Sequence, residues 1–170
     1  MSKQYALSKV FLIACVLSFQ FMGLKHAISA VSLDEIMADA LQAYDGGRYD
    51  DAFADWNRAA TLGNTDAMVA IANMYRQGEG RPKQLKNAAI WYEKAAKLGN
   101  IIGQMNYGEM LEKGIGVQIS LFDSYIWYGR ASVGGSHWAT ERQRVLGRKL
   151  NTNDKKRADS KIGGAKNGGN

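Results

Sequence analysis

Between Thr65 and Gln77 the apolar side chains Ala67, Met68, Ile71, Met74 and Tyr75 recur at i, i+3, i+4 and i+7, with polar residues between them. That period puts one apolar stripe on an α-helix, and Gly78 supplies the left-handed residue that ends it. From Leu85 the pattern starts again through Ala88, Trp91, Tyr92, Ala95, Ala96 and Leu98, and stops at Gly99. Upstream, Ser32 and Glu35 stand at capping-box spacing, so a helix is predicted over 33–44 with a turn at Gly46 and Gly47. Downstream, "SHWATERQRVLGRKLN" predicts a seventh helix. No alternating run is long enough for a sheet strand, and the fold class is all-α.

The same pattern returns at one distance. "AFADWNRAATLGN" (52–64), "AAIWYEKAAKLGN" (88–100) and "SYIWYGRASVGGS" (124–136) align in steps of 36 residues. Trp56, Tyr92 and Tyr128 coincide, as do Ala59, Ala95 and Ala131, and Gly63, Gly99 and Gly135. "MYRQGEGRPKQ" (74–84) returns as "MLEKGIGVQIS" (110–120) in the same register. Two full periods in register mark a repeat protein whose unit is a pair of helices. Small residues let the helices approach, and the aromatic one turn earlier fills the wider gap beside them. Pro82 falls in a loop, where it breaks nothing. The first unit has a loop five residues shorter than the next, and Arg142 and Arg144 replace small repeat residues in the last helix, as a solvent-facing cap requires.

"A…WY.KAA..GN" followed by a short helix ending "Y..G.GV" resembles the Sel-one-like repeat (SLR), a relative of the tetratricopeptide repeat (TPR), over residues 33–150. The resemblance implies a right-handed α-solenoid that serves other proteins as an adaptor, of a type often exported in bacteria. The organisation expected is a signal peptide (1–30), a first TPR/SLR-like helix pair (31–64), SLR repeats (65–99 and 100–135), a capping helix (136–150) and a disordered basic, glycine-rich tail (151–170). Tetratricopeptide geometry carried onto this register implies a concave groove lined by the first helix of each pair. Its positions are Glu35, Ala38, Gln42 and Asp45, then Asp66, Val69, Asn73 and Arg76, then Ile102, Met105, Glu109 and Glu112, and finally Trp138, Glu141, Val145 and Arg148. Val69, Ile102, Met105 and Trp138 would form an apolar strip with charges of both signs beside it, which suits an extended peptide or a partner helix.

The N-terminus reads differently. Lys3 and Lys9 precede an apolar run over 10–24, and "KHAISA" follows with small residues at its end. That order is the layout of a secretory signal peptide, with cleavage expected near Ala30 and an exported, periplasmic or secreted, product. The run is fifteen residues long and contains Gln20, short of the eighteen or so of a membrane span; a signal-anchored scaffold is the alternative. Cys15 is the one cysteine and reads as part of that apolar run, so the mature chain is expected to hold no disulfide and no thiol chemistry.

Charge is unevenly spread. Residues 31–79 carry nine acids and three bases, whereas 141–170 carry nine bases and three acids. Such polarity bears on partners rather than on fold. With export expected, nucleic acid is not a partner; an acidic protein or anionic envelope surface suits the basic end better, and a plain solvated tail suits it best. Little points to catalysis. "GEG" and "GIG" follow no strand and recur at the repeat period, which marks helix ends rather than phosphate loops. His137 stands alone beside Trp138, and nothing resembles a zinc site. The acid pairs at 34–35 and 50–51 fall at helix starts, where the dipole favours them. The Trp/Tyr pairs at 91–92 and 127–128 recur with the repeat and read as packing. No enzyme, metal or cofactor is expected, and a cell-envelope hydrolase is the rival reading. Another protein or peptide is the expected partner, with no stable membrane insertion once the signal is removed.

Overall fold

The computed structural model describes residues 32–163. Residues 1–31, which include the segment read as a signal peptide, and residues 164–170, the end of the expected tail, lie outside that range. Residues from Ile36 onward form one compact unit, and Glu35 and its predecessors group separately. In the latter, the Ser32 hydroxyl accepts from the Glu35 amide at 3.1 Å, the side-chain cap expected at a helix start.

Eight helices follow one another among the described residues: α1 (Leu33–Asp45), α2 (Tyr49–Thr61), α3 (Thr65–Gln77), α4 (Leu85–Lys97), α5 (Ile101–Lys113), α6 (Leu121–Val133), α7 (His137–Gly147) and α8 (Thr152–Gly163). From α2 to α7 each packs chiefly on its neighbours in sequence, α2 on α3, α3 on α4, α4 on α5, α5 on α6 and α6 on α7. The architecture is an all-α solenoid of sequential helix pairs. None of these helices is long and apolar enough to cross a membrane.

The turn between pairs explains the recurring Gly-Asn. Gly99 has φ +89°, a left-handed backbone conformation that residues with a Cβ rarely adopt, and the Asn100 amide returns to the Ala95 carbonyl at 3.0 Å. Asn100 Oδ1 then accepts from the Gly103 amide at 2.9 Å and caps α5, as Asn64 caps α3 and Ser136 caps α7. Asn100 also donates through Nδ2 to Asp66 Oδ1 (2.7 Å) and Thr65 Oγ1 (3.1 Å), tying one turn to the one before.

Ala59, Ala95, Ala131, Tyr92 and Tyr128 are fully buried, and Trp56 nearly so. The contact at Ala95 is close: a Cβ added to Gly103 would sit 2.8 Å from the Ala95 Cβ. Of the Trp/Tyr pairs, Trp91 is half-buried with the Lys94 ammonium 4.2 Å from its ring centroid, while Trp127 is buried against Tyr107. "GEG" and "GIG" do more than end a helix. A Cβ on Gly80 would lie 2.3 Å from the Tyr49 Cβ, and one on Gly116 the same distance from the Leu85 carbonyl oxygen. Tyr49 and Leu85 open α2 and α4, so the second glycine of each motif lets the loop after one first helix sit on the start of the preceding second helix.

The C-terminal segment departs from expectation. Residues 152–163 form a helix rather than a disordered tail. Only Ala158 and Ile162 give that helix an apolar face, yet their i, i+4 spacing puts both on one side, and both are buried. Gly129 of α6 provides the room: a Cβ there would come within 2.3 Å of Ile162 Cδ1. Asn151 caps the helix through the Asp154 amide at 2.9 Å, and the Tyr125 hydroxyl donates to Asp159 Oδ1 at 2.8 Å. The low apolar content concealed where those two residues stand. α8 lies against α6 rather than α7, so the last two helices do not close into a regular pair.

Candidate functional site

Of the first helices, α3 and α5 come into direct contact, and the side that α3, α5 and α7 present is the inner face on which a tetratricopeptide-type groove is expected. Polar side chains bridge it from pair to pair. Arg76 of α3 donates to Asn106 Oδ1 at 3.3 Å and lies 3.6 Å from Glu109 Oε2, both on α5. One period later Glu112 of α5 pairs with Arg142 of α7. The two bridges use equivalent positions, 76 with 106 and 112 with 142, with the cation moved from one partner to the other. Buried tyrosines brace them from beneath. The Tyr92 hydroxyl donates to Asn73 Oδ1, and the Tyr128 hydroxyl donates to Glu112 Oε2 at 3.1 Å.

These contacts fix the charge states. Burial pushes the Glu112 carboxyl up, but the hydrogen bonds from Arg142 and Tyr128, with the nearby Arg142 and Lys149 charges, hold it below the usual carboxylate range. Burial pushes the Tyr128 hydroxyl up, and the Glu112 charge adds to that. The Tyr92 hydroxyl is likewise raised by burial, against the lowering effect of Arg76. Hydrogen bonding to Glu112 raises the Arg142 guanidinium further. At neutral pH the inner face thus carries ionised acids and bases that neutralise one another, with protonated phenols below them.

The residues expected to line a groove differ in burial, and one of them is corrected outright. Val69 is 7% exposed and belongs to the core. Its equivalents grade outward: Met105 is half-buried, and Glu141 is exposed and paired with Arg144 at 2.8 Å. Met105 packs against the α6–α8 core and accepts from the Ser136 hydroxyl through sulfur at 3.2 Å. The continuous apolar strip is consequently reduced to Ile102 (53% exposed) and Trp138 (47%). These two are equivalents one period apart, and the matching residue of α3 is Asp66, exposed and held by Asn100. Asn73, Arg76, Glu109 and Glu112 are half-buried and joined in the bridges already described, with Lys113 as a further partner of Glu109. Val145 is half-buried and Arg148 exposed, and Ala38, Gln42 and Asp45 of α1 are exposed, as is Glu35 in the separately grouped segment.

Sequence reasoning missed Asn106 and Arg142. Arg142 was expected on a solvent-facing cap, but it reaches back to Glu112 and is about one-third exposed, at 34%. A signal was present: both positions are polar and stand one repeat distance apart. Leu98 and Val133 were also missed as surface residues. They flank a cavity of about 440 Å³ between the turns that lead into α5 and α7. His137 is exposed at the start of α7. Among the described residues no group of three or more histidine, cysteine or acidic side chains is arranged to hold a metal ion.

Comparison with known proteins places this geometry. The Sel1 repeat family matches residues 65–100 and 101–135. No curated protein matches significantly. Among solved structures, a Sel1 repeat protein from Oxalobacter formigenes is 27% identical, with TM-score 0.63 over 74% of this chain and 97% of that one. A protective antigen of uropathogenic Escherichia coli displaying an SLR fold is 24% identical, with TM-score 0.70 over 77% of this chain. The match spans 29% of that antigen's length. Helicobacter pylori cysteine rich protein B is 23% identical, with TM-score 0.55 over 70% of this chain and 93% of its own.

Proposed function

The chain is a Sel1-like repeat protein, and from that premise we propose that it is an exported, non-catalytic scaffold that holds a peptide or partner helix on the inner face of α3, α5 and α7. The observation that carries this reading is the exposed pair Ile102 and Trp138, repeated one period apart beside a row of charges already neutralised within the protein. Exposed apolar side chains on an otherwise polar face are where a partner gains most from leaving water. The braced bridges of Arg76 with Glu109 and Glu112 with Arg142 keep that face in one shape before a partner arrives, which lowers the ordering entropy of association. Asn73, Arg76, Glu109 and Glu112 act as the rim, and Asp66 and Glu141 add acid at its edge. Export is supported by the basic, apolar, small-residue order of the first thirty residues.

Ile102→Glu combined with Trp138→Glu tests the face. Both side chains are about half exposed, so helicity should hold, and melting should fall only by the edge contact that Trp138 gives up with the Tyr128 ring, 5.4 Å between centroids, about 1 kcal/mol. Capture of the partner from envelope extract should fall by about thirtyfold or more, the effect of about 2 kcal/mol lost at a hot spot. Undiminished capture by a folded double variant would remove this face from the function.

A further inference from the structure

The two ends of the stack are oppositely charged, and each carries a notch. In residues 36–61 five acids face two bases, and in residues 137–163 eight Lys and Arg residues face three acids. Because helices from α2 onward contact chiefly their neighbours, these charges do not compensate each other within one molecule. At the first end, Asp39 of α1 and Asp51 and Asp55 of α2 line a notch of about 320 Å³, together with Arg48. The one ion pair there, Arg48 with Asp51 at 3.9 Å, is long and well exposed and stabilises little. At the other end, Arg144 and Arg148 of α7 and Lys155 of α8 line a notch of about 400 Å³, floored by Tyr125 and Gly147. This notch exists because α8 lies on α6 and leaves its side towards α7 open. Arg144 is engaged by Glu141, whereas Arg148 and Lys155 meet no carboxylate within ion-pair distance among the described residues.

From this complementarity we infer that a second copy of the chain docks head to tail, with its acidic α1–α2 notch against the basic α7–α8 notch. An acidic helix pair is what the open last pair lacks, and the chain itself carries one at its other end. The contact is heterologous, since the two surfaces differ, so each docked copy leaves one free end of each kind. Association therefore grows as an open series rather than stopping at a dimer, and it leaves the inner face free. Its attraction comes from exposed charges and weakens as salt shortens the Debye length from about 10 Å at 0.1 M to about 3 Å at 1 M.

The test uses the full chain in the form the host cell delivers, followed by sedimentation velocity. Average mass should rise with concentration at low salt and return to the monomer value at 1 M. Arg144→Glu with Arg148→Glu makes both notches acidic, and Asp39→Lys with Asp51→Lys makes both notches basic. All four residues are exposed, so circular dichroism should show each variant folded, and the single Arg148→Glu is the milder control. Each variant alone should associate at least about tenfold more weakly than the parent, because like charges now meet. An equimolar mixture should associate again, since the acidic first end of one matches the basic last end of the other. A parent that stays monomeric at low salt overturns the inference. So does a mixture that stays monomeric while the parent associates, or a variant that associates undiminished. A monomeric parent whose basic end binds anionic vesicles, with the Arg144/Arg148 variant unable to, would assign the notch to a membrane surface instead.

Discussion

Replacing Arg142 by methionine keeps most of the apolar stem of the side chain and removes the charge. Glu112 would then be left with its side chain only 10% exposed, holding a single hydrogen bond from Tyr128. Breaking a buried ion pair at one partner costs about 3–5 kcal/mol. Arg142 is about one-third exposed, at 34%, and water screens it in part, so the expected loss at pH 7 is roughly half of that, about 2 kcal/mol. The pH dependence gives a sharper reading. In the parent, Glu112 titrates below its ordinary value of 4.5 when folded. Its stabilising contribution is complete above that value and fades as pH falls through the lower, folded one. In the variant burial acts with less opposition and the folded carboxyl titrates above the parent's. Acidification then protonates Glu112 in the folded variant first and relieves the unpaired charge. The stability gap between parent and variant should narrow between pH 7 and pH 4. Urea unfolding at both pH values measures it, and adding Glu112→Gln to each closes a double-mutant cycle. A gap that stays constant with pH, or a loss below about 0.5 kcal/mol at pH 7, the range of ordinary surface changes, would refute the bridge as described.

Other changes probe different joints. Ala95→Arg forces a long cation into the contact with Gly103 and should cost about 3 kcal/mol or more; Lys97→Ala, on the exposed face, should change melting by a degree or so, and equal melts would contradict the assigned faces. Ile162→Ser removes the principal apolar contact of α8, roughly 2 kcal/mol of burial, so trypsin should cut sooner at Lys155, Lys156 and Lys161, and unchanged cleavage would show that α8 is held otherwise. Intact mass of the protein recovered from its host cell should place its first residue between Ala30 and Leu33; retention of residues 1–29, or lipid on Cys15, would rule out the export and processing proposed.

The pairs of helices were legible because their signals are local and repeated. Gly99 needs positive φ, Asn100 must cap, and Ala95 must be small, so each leaves a fixed letter at a fixed distance. The inner face was less legible. Carrying one groove register onto every unit treats all first helices as equivalent, but α3 is packed by neighbours on both sides and buries Val69. The outermost equivalent, Glu141, is free to face water. Position in the stack decided that difference, and no single repeat encodes it. The bridge of Glu112 with Arg142 was hidden for a related reason: a charge in a terminal helix looks like a response to solvent until its partner one pair back is known. α8 was missed because two well-placed apolar residues suffice when the surface opposite has a glycine.

The spacing of the contacts also determines how such a chain can change length. Tyr49 with Gly80 recurs as Leu85 with Gly116, and the caps at Asn64, Asn100 and Ser136 stand at the same interval. Excision of residues 65–100 would join Asn64 to Ile101, place Gly103 where Ala67 now receives its cap, and bring Gly116 opposite Tyr49. The cap and the glycine contact at the new junction would both find their partners. Loss of a stretch of helix that is not a whole number of periods would bring side chains against faces that cannot take them. Gene duplication and deletion can therefore lengthen or shorten this protein in quanta of one helix pair, and the surface it offers to partners changes by the same increment.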